Sequence, residues 1–153
     1  MSGVHSNADL FEKIAEEQFA EIEAARKRFR QSRPDGEGWI FALDPAQSEF
    51  KAALISIAFS AMWLDAKLHL VMVERLGKSL AKKHDTKTYE GKLVELGVSD
   101  EALLLRVKDF RALRRELMHE KAFQSNDDFR FAQDEAKKTR SLMAEISARL
   151  MES

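Results

Sequence analysis

The segment RALRRELMHEKAF, residues 111–123, contains two side chains of complementary chemistry, Arg114 and His119, with four residues between them. A histidine side chain has a pKa of about 6.5, so it can take up or release a proton near neutral pH. An arginine side chain is permanently charged and can stabilise negative charge that develops during a reaction. The pair therefore suits proton transfer at a centre that becomes more negative.

The helix that must carry these residues is predicted from its apolar side chains, which recur every three or four positions. They form one face, made of Leu103, Val107, Phe110, Leu117 and Met118. Arg114 falls near the middle of this face. Because an unpaired buried guanidinium is costly, we expect Arg114 to meet a carboxylate such as Asp65, to open onto a cleft or to face a second subunit.

A second stripe of the same helix is basic and consists of Lys108, Arg111, Arg115 and His119. Residues 106–121 include six lysines and arginines against three acidic residues, whereas the whole chain has a net charge of −1. A run of charge is often only a solvated helix face, but this one adjoins an arginine in the apolar face. Because the chain as a whole is not basic, any contact with nucleic acid has to come from a local patch.

The composition indicates one folded domain, residues 1–153, built from a few long helices. Hydrophobic residues make up 44% and charged residues 33% of the chain, and only two prolines and six glycines interrupt it. The absence of cysteine excludes disulfides, zinc thiolate sites and cysteine nucleophiles. Charged and polar residues, among them Asp65 and Lys67, break the most apolar run, residues 52–73. This favours a buried helix over a membrane span, and a cytoplasmic location is expected.

Four long helices and one short helix are predicted, arranged as an all-α up-and-down bundle. Their approximate ranges are 7–31, 44–76, 89–96, 100–122 and 127–151. The second helix is apolar on nearly every side, which predicts a central position surrounded by the others. Four residues at the ends of these helices have capping character: Asn7, Asp44, Asp100 (or Ser99) and Gly97.

The segments between the helices contain further candidates. The basic run RKRFRQSR, residues 26–33, is either a nucleic-acid patch or a solvated helix end whose charges match the helix dipole. Residues 82–88 are expected to form a polar loop with His84 at the surface. The turn-rich link after the first helix contains three large apolar residues that we expect to pack back onto the bundle: Trp39, Ile40 and Phe41.

The best candidate metal ligands are Asp65 and His69, which lie four residues apart on the second helix. Two ligands without a third nearby are a weak basis for a metal site. A polar pair that supplies the carboxylate partner of Arg114 accounts for the same residues. No metal site and no cofactor is therefore predicted.

The motif and its place in the chain resemble the HEPN family. Members of that family carry an arginine, four to six further residues and a histidine late in the third long helix of a small bundle, often as LRNxLxH, and one more helix follows. Here the motif reads LRRELMHEKAF, residues 113–123, and the order of the helices corresponds from about residue 8 to residue 151. Two positions differ from the family pattern: Arg115 replaces a small polar residue, and Lys121 replaces an aromatic residue found in some toxin members.

The resemblance implies metal-independent cleavage of RNA at a site formed between two subunits of a homodimer. His119 would act as acid or base, Arg114 would stabilise the phosphorane, and the substrate-binding residues would be Arg111, Arg115 and Lys108. The resemblance also implies a toxin of a toxin–antitoxin pair or a phage-defence component. A nucleotidyltransferase-like antitoxin is then a candidate protein partner.

A second function stays open at the level of the sequence, namely a non-catalytic helical module of the same fold that binds RNA or a protein partner. Arg115, in place of the small polar residue, favours this module. The intact pair of Arg114 and His119 favours the ribonuclease.

Overall fold

The computed structural model of the protein describes residues 6–41, 44–118 and 132–152. These residues form an all-α helical bundle with one small β-hairpin, which confirms the predicted fold class. In chain order the elements are α1 Ala8–Arg28, β1 Arg30–Ser32, β2 Trp39–Phe41, α2 Ser48–Leu76, α3 Lys78–Lys83, α4 Tyr89–Glu95, α5 Glu101–Met118 and α6 Ala132–Glu152.

The central element is α2, as predicted, and it contacts each of the other five described helices. Its side chains Ile57, Leu64 and Leu68 are completely buried. Burial of one such side chain contributes about 1.5–3 kcal/mol, so this helix supplies much of the core. A buried serine joins this helix to α1, because the Ser56 hydroxyl donates a hydrogen bond to the Ala15 carbonyl over 2.8 Å.

The first helix ends earlier than predicted, because the chain after Arg28 turns into a hairpin. The two strands pair antiparallel with Ser32 opposite Trp39. Two glycines with positive φ, Gly36 and Gly38, allow the tight reversal between the strands.

The prediction that residues 39–41 pack back onto the bundle is wrong for two of them. Trp39 is 54% exposed and Ile40 is 48% exposed, and every residue from Gln31 to Ile40 lies at the surface. A hairpin places neighbouring side chains on opposite faces, and no described helix covers either face of this one. The side chain of Phe41 lies outside the described part of the chain.

The start of α2 lies at Ser48, four residues after Asp44, which was predicted to cap it. The Asp44 carboxylate accepts hydrogen bonds from the backbone N–H groups of Ala46 and Ser48, at 2.9 and 2.7 Å. Gln47, with a φ of +52°, separates this turn from the helix. Asp44 therefore stabilises a turn that leads into α2, and its carboxylate also accepts the hydrogen bond from the first helical N–H group, that of Ser48.

Between α2 and α5 the chain contains one more helix than predicted. Gly77 ends α2, and α3 follows at once as a short helix from Lys78 to Lys83. His84, predicted to lie at the surface, has a side chain that is only 18% exposed. His84 is largely covered because it directly follows α3, which contacts α2 and carries the buried Ala81 three residues before it.

The end of α4 matches its prediction. Gly97 has a φ of +89°, its N–H bonds the Val94 carbonyl at 3.0 Å, and the Val98 N–H bonds the Leu93 carbonyl at 2.9 Å. These two bonds form the Schellman arrangement, which needs a left-handed residue after the helix. The chain then reverses into α5, whose first turn is capped by Asp100 through a bond from the Leu103 N–H at 3.1 Å.

The last helix, α6, packs on α2 and places Met143, Ile146 and Leu150 in the core. The Arg75 guanidinium donates to the Leu150 carbonyl and, over 3.5 Å, to the Leu96 carbonyl. One side chain of α2 thus satisfies backbone acceptors near the ends of two other helices. The predicted ends of α5 at residue 122 and of α6 at residue 127 lie outside the described residues.

Among the described helices, α2 is the one that is long and apolar enough to cross a membrane. Eleven of its residues are buried inside the protein, and its Asp65 is paired with an arginine of α5. These are the properties of the central helix of a mostly soluble bundle.

Candidate functional site

The apolar face predicted for the motif helix is buried in α5. Leu103, Val107 and Phe110 are nearly inaccessible to solvent, and Leu117 packs against the core at its edge. Arg114 lies on the margin of this face, with 44% of its side chain exposed. Arg114 thus lies at the edge of this face rather than near its middle, where the spacing predicted it, and its guanidinium reaches the surface.

The carboxylate that meets Arg114 is Asp65 of α2, with 3.4 Å between Arg114 Nη2 and Asp65 Oδ2. This is the pairing that the sequence offered as one explanation of the arginine. The same oxygen of Asp65 accepts a hydrogen bond from the Tyr89 hydroxyl at 3.2 Å. The Arg114 guanidinium also lies 5.9 Å from the centre of the Tyr89 ring. Three helices, α2, α4 and α5, thus each contribute one side chain to a single cluster, which we call the Arg114 cluster.

Tyr89 is the buried member of the Arg114 cluster, with 5% of its surface exposed. Its ring stacks on Phe110 of α5, with 6.3 Å between the ring centres. Burial raises the pKa of the Tyr89 hydroxyl well above its usual value, and the nearby Asp65 carboxylate raises it further. The hydroxyl therefore stays protonated at neutral pH and acts as a hydrogen-bond donor that holds Asp65 in place.

Arg111, one turn before the cluster, is bound by Glu90 of α4. Its Nε lies 3.2 Å from both Glu90 oxygens, and its Nη2 lies 3.0 Å from Oε1. Burial raises the pKa of Glu90, but the hydrogen bonds and the charge of Arg111 outweigh this effect and leave the pKa below its usual value. The pair ties α4 to α5 beside Tyr89, so Arg111 is engaged within the chain.

Lys108 and Arg115 are exposed on α5 and form no ion pair with a described residue. They are the two predicted phosphate-binding residues whose charges are free within the described part of the chain. His119, the predicted acid or base, lies just beyond the described end of α5. Its role stays a prediction.

The two candidate metal ligands, Asp65 and His69, have different partners in the fold. His69 lies 3.9 Å from Asp85, and both side chains are more than half exposed, whereas Asp65 turns toward Tyr89 and Arg114. Over residues 6–41, 44–118 and 132–152, no group of three or more histidine or acidic side chains is arranged to hold a metal ion. Asp65 and His69 are thus explained by other contacts.

The chain matches no protein-family model, no curated protein and no solved structure. The chemistry that bears on its function is that of the Arg114 cluster and of the motif in the sequence. What the cluster offers chemically is a half-exposed guanidinium whose direction is set by a carboxylate and a buried hydroxyl. Such a group can bind an oxyanion that approaches from solvent.

Sequence analysis missed two residues of this region, Tyr89 and Glu90. Both are the first residues of α4, where the pattern shows only the start of a short helix. Their contacts with α2 and α5 span 21 to 24 residues, which no local spacing reveals. The one available signal is composition, because Tyr89 is the single tyrosine of the chain.

Proposed function

We propose that the protein is a metal-independent endoribonuclease of the HEPN type. The observation that carries the proposal is Arg114, a guanidinium that is held at the surface of α5 by Asp65 and Tyr89, five residues before His119. A charged group kept in a fixed direction is what stabilisation of a developing phosphorane requires.

In the proposed reaction the ribose 2′-oxygen attacks the adjacent phosphorus while a histidine removes the 2′-hydroxyl proton. The bond from phosphorus to the 5′-oxygen breaks, and a protonated histidine supplies the proton to that leaving oxygen. The products are a 2′,3′-cyclic phosphate and a 5′-hydroxyl. Two copies of His119, one from each subunit of a homodimer, supply both the base and the acid.

Arg114 has the role of neutralising the extra charge on the phosphorane oxygens. In the described cluster Arg114 forms an ion pair with Asp65 over 3.4 Å, and a guanidinium has five N–H donors, so donors remain for a phosphate. Arg115 and Lys108 are exposed and suited to contact neighbouring phosphates. Arg111 would have to leave Glu90 before it could contribute.

The biological setting that fits this activity is a toxin–antitoxin pair or a phage-defence system, because uncontrolled cleavage of cellular RNA is toxic. A nucleotidyltransferase-like antitoxin is the proposed protein partner, and the cytoplasm is the proposed location. The homodimer is part of the same proposal, since one chain supplies only one histidine in the motif.

A second candidate function is a non-catalytic module that binds RNA or a protein partner. The observation that favours it is the internal pairing of Arg114 with Asp65 and of Arg111 with Glu90, which leaves fewer free cations than the sequence suggests. Arg115, in place of the small polar residue of the family, points the same way.

The test is RNA cleavage by the purified protein in the presence of EDTA. We expect wild-type activity with cyclic phosphate ends, and a loss of roughly 10²–10⁴-fold in His119→Ala because proton transfer is removed. Arg114→Ala should lose a similar factor, and Arg114→Lys should recover only part of it because the planar fork is absent. Arg106→Ala is the matched control, because Arg106 lies on the same helix and pairs with Glu145 away from the cluster.

Cleavage that persists undiminished in His119→Ala, or that requires Mg²⁺, contradicts the proposed mechanism. Binding of RNA without any cleavage by the wild-type protein supports the module instead. Sedimentation of the wild-type protein as a monomer at micromolar concentration contradicts the two-subunit site.

A further inference from the structure

The hairpin β1–β2 follows α1 directly, and its residues 31–40 are exposed. It carries two large apolar side chains, Trp39 and Ile40, that are about half exposed, and by the alternation of strand residues they lie on opposite faces. Exposed tryptophan is unusual on a surface that serves only to face water. The face that contains Trp39 therefore needs an explanation in terms of a ligand.

Arg30 lies over the ring of Trp39, with its guanidinium carbon 4.3 Å from the ring centre. The strand register accounts for this contact, because Arg30 is the diagonal neighbour of Trp39 across the ladder. A guanidinium on an aromatic ring forms a flat, charged and partly apolar surface. More than half of Trp39 stays accessible beside it.

Basic residues lead into this surface along the chain, whereas the loop of the hairpin carries two acidic residues, Asp35 and Glu37. Residues 26–33 contain five lysines and arginines and no acidic residue. Arg26 and Arg28 are neutralised by Glu49 and Glu21, respectively. Lys27 is exposed and forms no ion pair with a described residue. Within the described ranges the one acidic partner of Arg33 is the exposed Asp35, an interaction of little strength.

We propose that Trp39 and Arg30 form a stacking platform for a base of single-stranded RNA, with Lys27 and Arg33 contacting the flanking phosphates. Aromatic rings within a basic groove are the usual means of binding single strands without sequence preference. An apolar protein partner fits less well, because it would have to desolvate the charges of Arg30 and Lys27 without compensation. The choice of RNA rests on the proposed function.

The platform is separate from the Arg114 cluster. Arg26, near the hairpin, pairs with Glu49 in the first turn of α2, whereas Arg114 pairs with Asp65. Asp65 lies sixteen positions after Glu49 on α2, which corresponds to about 24 Å along the helix. A variant at the hairpin therefore leaves the Arg114 cluster unchanged, and only a strand of several nucleotides can reach both.

The experiment uses a 12-nucleotide 2′-O-methyl oligouridine, which cannot be cleaved because its 2′-oxygens are blocked. The chain has two tryptophans, and Trp63 is buried in the core, so quenching of intrinsic fluorescence on binding reports Trp39. We expect Trp39→Ala to weaken binding about 5- to 150-fold, the range for loss of one base–aromatic stack. Trp39→Phe should keep most of the affinity because a ring remains.

Ile40→Ala is the matched control, since Ile40 has similar exposure but lies on the opposite face, and its affinity should equal that of the wild type. Fluorescence anisotropy of a labelled oligonucleotide measures the affinity of every variant, including those without Trp39. Because the hairpin lies outside the core, all variants should keep the helical circular dichroism of the wild type, which separates lost binding from lost folding.

The outcomes distinguish this inference from the proposed function. Weaker binding in Trp39→Ala by a protein that cleaves no RNA supports the platform and contradicts the ribonuclease. Equal affinity of Trp39→Ala and wild type, in a protein that does cleave RNA, overturns the platform and leaves the ribonuclease in place. Loss of self-association in Trp39→Ala, with RNA affinity unchanged, also overturns it and assigns this face to contact between copies of the chain.

Discussion

The pair of Arg111 and Glu90 should contribute more to stability than an ordinary surface ion pair. Only 29% of the Arg111 side chain and 18% of the Glu90 side chain are exposed, and three donor–acceptor contacts of 3.0–3.2 Å join them. Hydrogen bonds to charged groups contribute about 1.5–3 kcal/mol, and removing one partner leaves the other charge poorly solvated. We therefore expect Arg111→Ala to lower the free energy of unfolding by about 2 kcal/mol.

The assay is a double-mutant cycle of Arg111→Ala and Glu90→Ala, with the free energy of unfolding measured by urea denaturation at pH 7. The expected coupling energy between the two side chains is about 1–2 kcal/mol, because their partial exposure to solvent weakens the interaction. The matched control is the cycle of Arg106 and Glu145, a pair between α5 and α6 whose side chains are 44% and 35% exposed. For that pair we expect about 0.2–1 kcal/mol.

The coupling energy between Arg111 and Glu90 should decrease in acid. Because the pKa of Glu90 is lowered in the folded protein, its stabilising effect is complete above the ordinary pKa of a glutamate. The effect is lost as the pH falls through the lower pKa of the folded state. A coupling energy no larger than that of the control pair, or one that does not decrease in acid, would refute the reasoning about burial.

Two further changes test the cluster and the core. Above a pH of about 10 the wild type should lose stability, because the raised pKa of Tyr89 lets the tyrosine ionise in the unfolded chain before it does so in the folded protein. Tyr89→Phe removes the hydroxyl that holds Asp65 and should reduce this alkaline loss. Urea denaturation across this pH range measures the free energy of unfolding, and an unchanged alkaline slope contradicts the prediction. Leu68→Ala should lower the free energy of unfolding by about 2–5 kcal/mol, because Leu68 is fully buried in α2. Leu105→Ala, at a site that is 59% exposed, should change it by no more than about 0.5 kcal/mol. Thermal unfolding by circular dichroism measures both, and similar effects at the two sites would contradict the burial of α2.

Periodicity predicted the helices well because it is a local property of the chain. The spacing of Leu103, Val107 and Phe110 identified the buried face of α5, and the all-round apolar character of α2 identified the central helix. Even the link between Arg114 and Asp65 could be foreseen, since a charged side chain beside a core needs a partner and α2 offered one carboxylate in its most apolar run.

Contacts that depend on how separate elements pack could not be foreseen in the same way. Tyr89 and Glu90 reach the site because α4 lies against α2 and α5, which the sequence does not specify locally. The exposure of Trp39 and Ile40 was missed for a related reason. Their apolar character indicates burial only if another element covers them, and none of the described helices does so.

The central place of α2 has a consequence for the chain while it is being synthesised. α1 and α2 can pair as soon as both have left the ribosome, but the side of α2 that packs on α6 stays uncovered until residues 132–152 have been made. At about 5–20 residues per second this interval lasts several seconds. During it, α2 has the length and hydropathy of a segment that the membrane-insertion machinery accepts. Asp65 opposes insertion by about 2.5–3.5 kcal/mol before Arg114 exists to pair with it, so the acid that later pairs with the arginine also disfavours entry of the nascent helix into a bilayer.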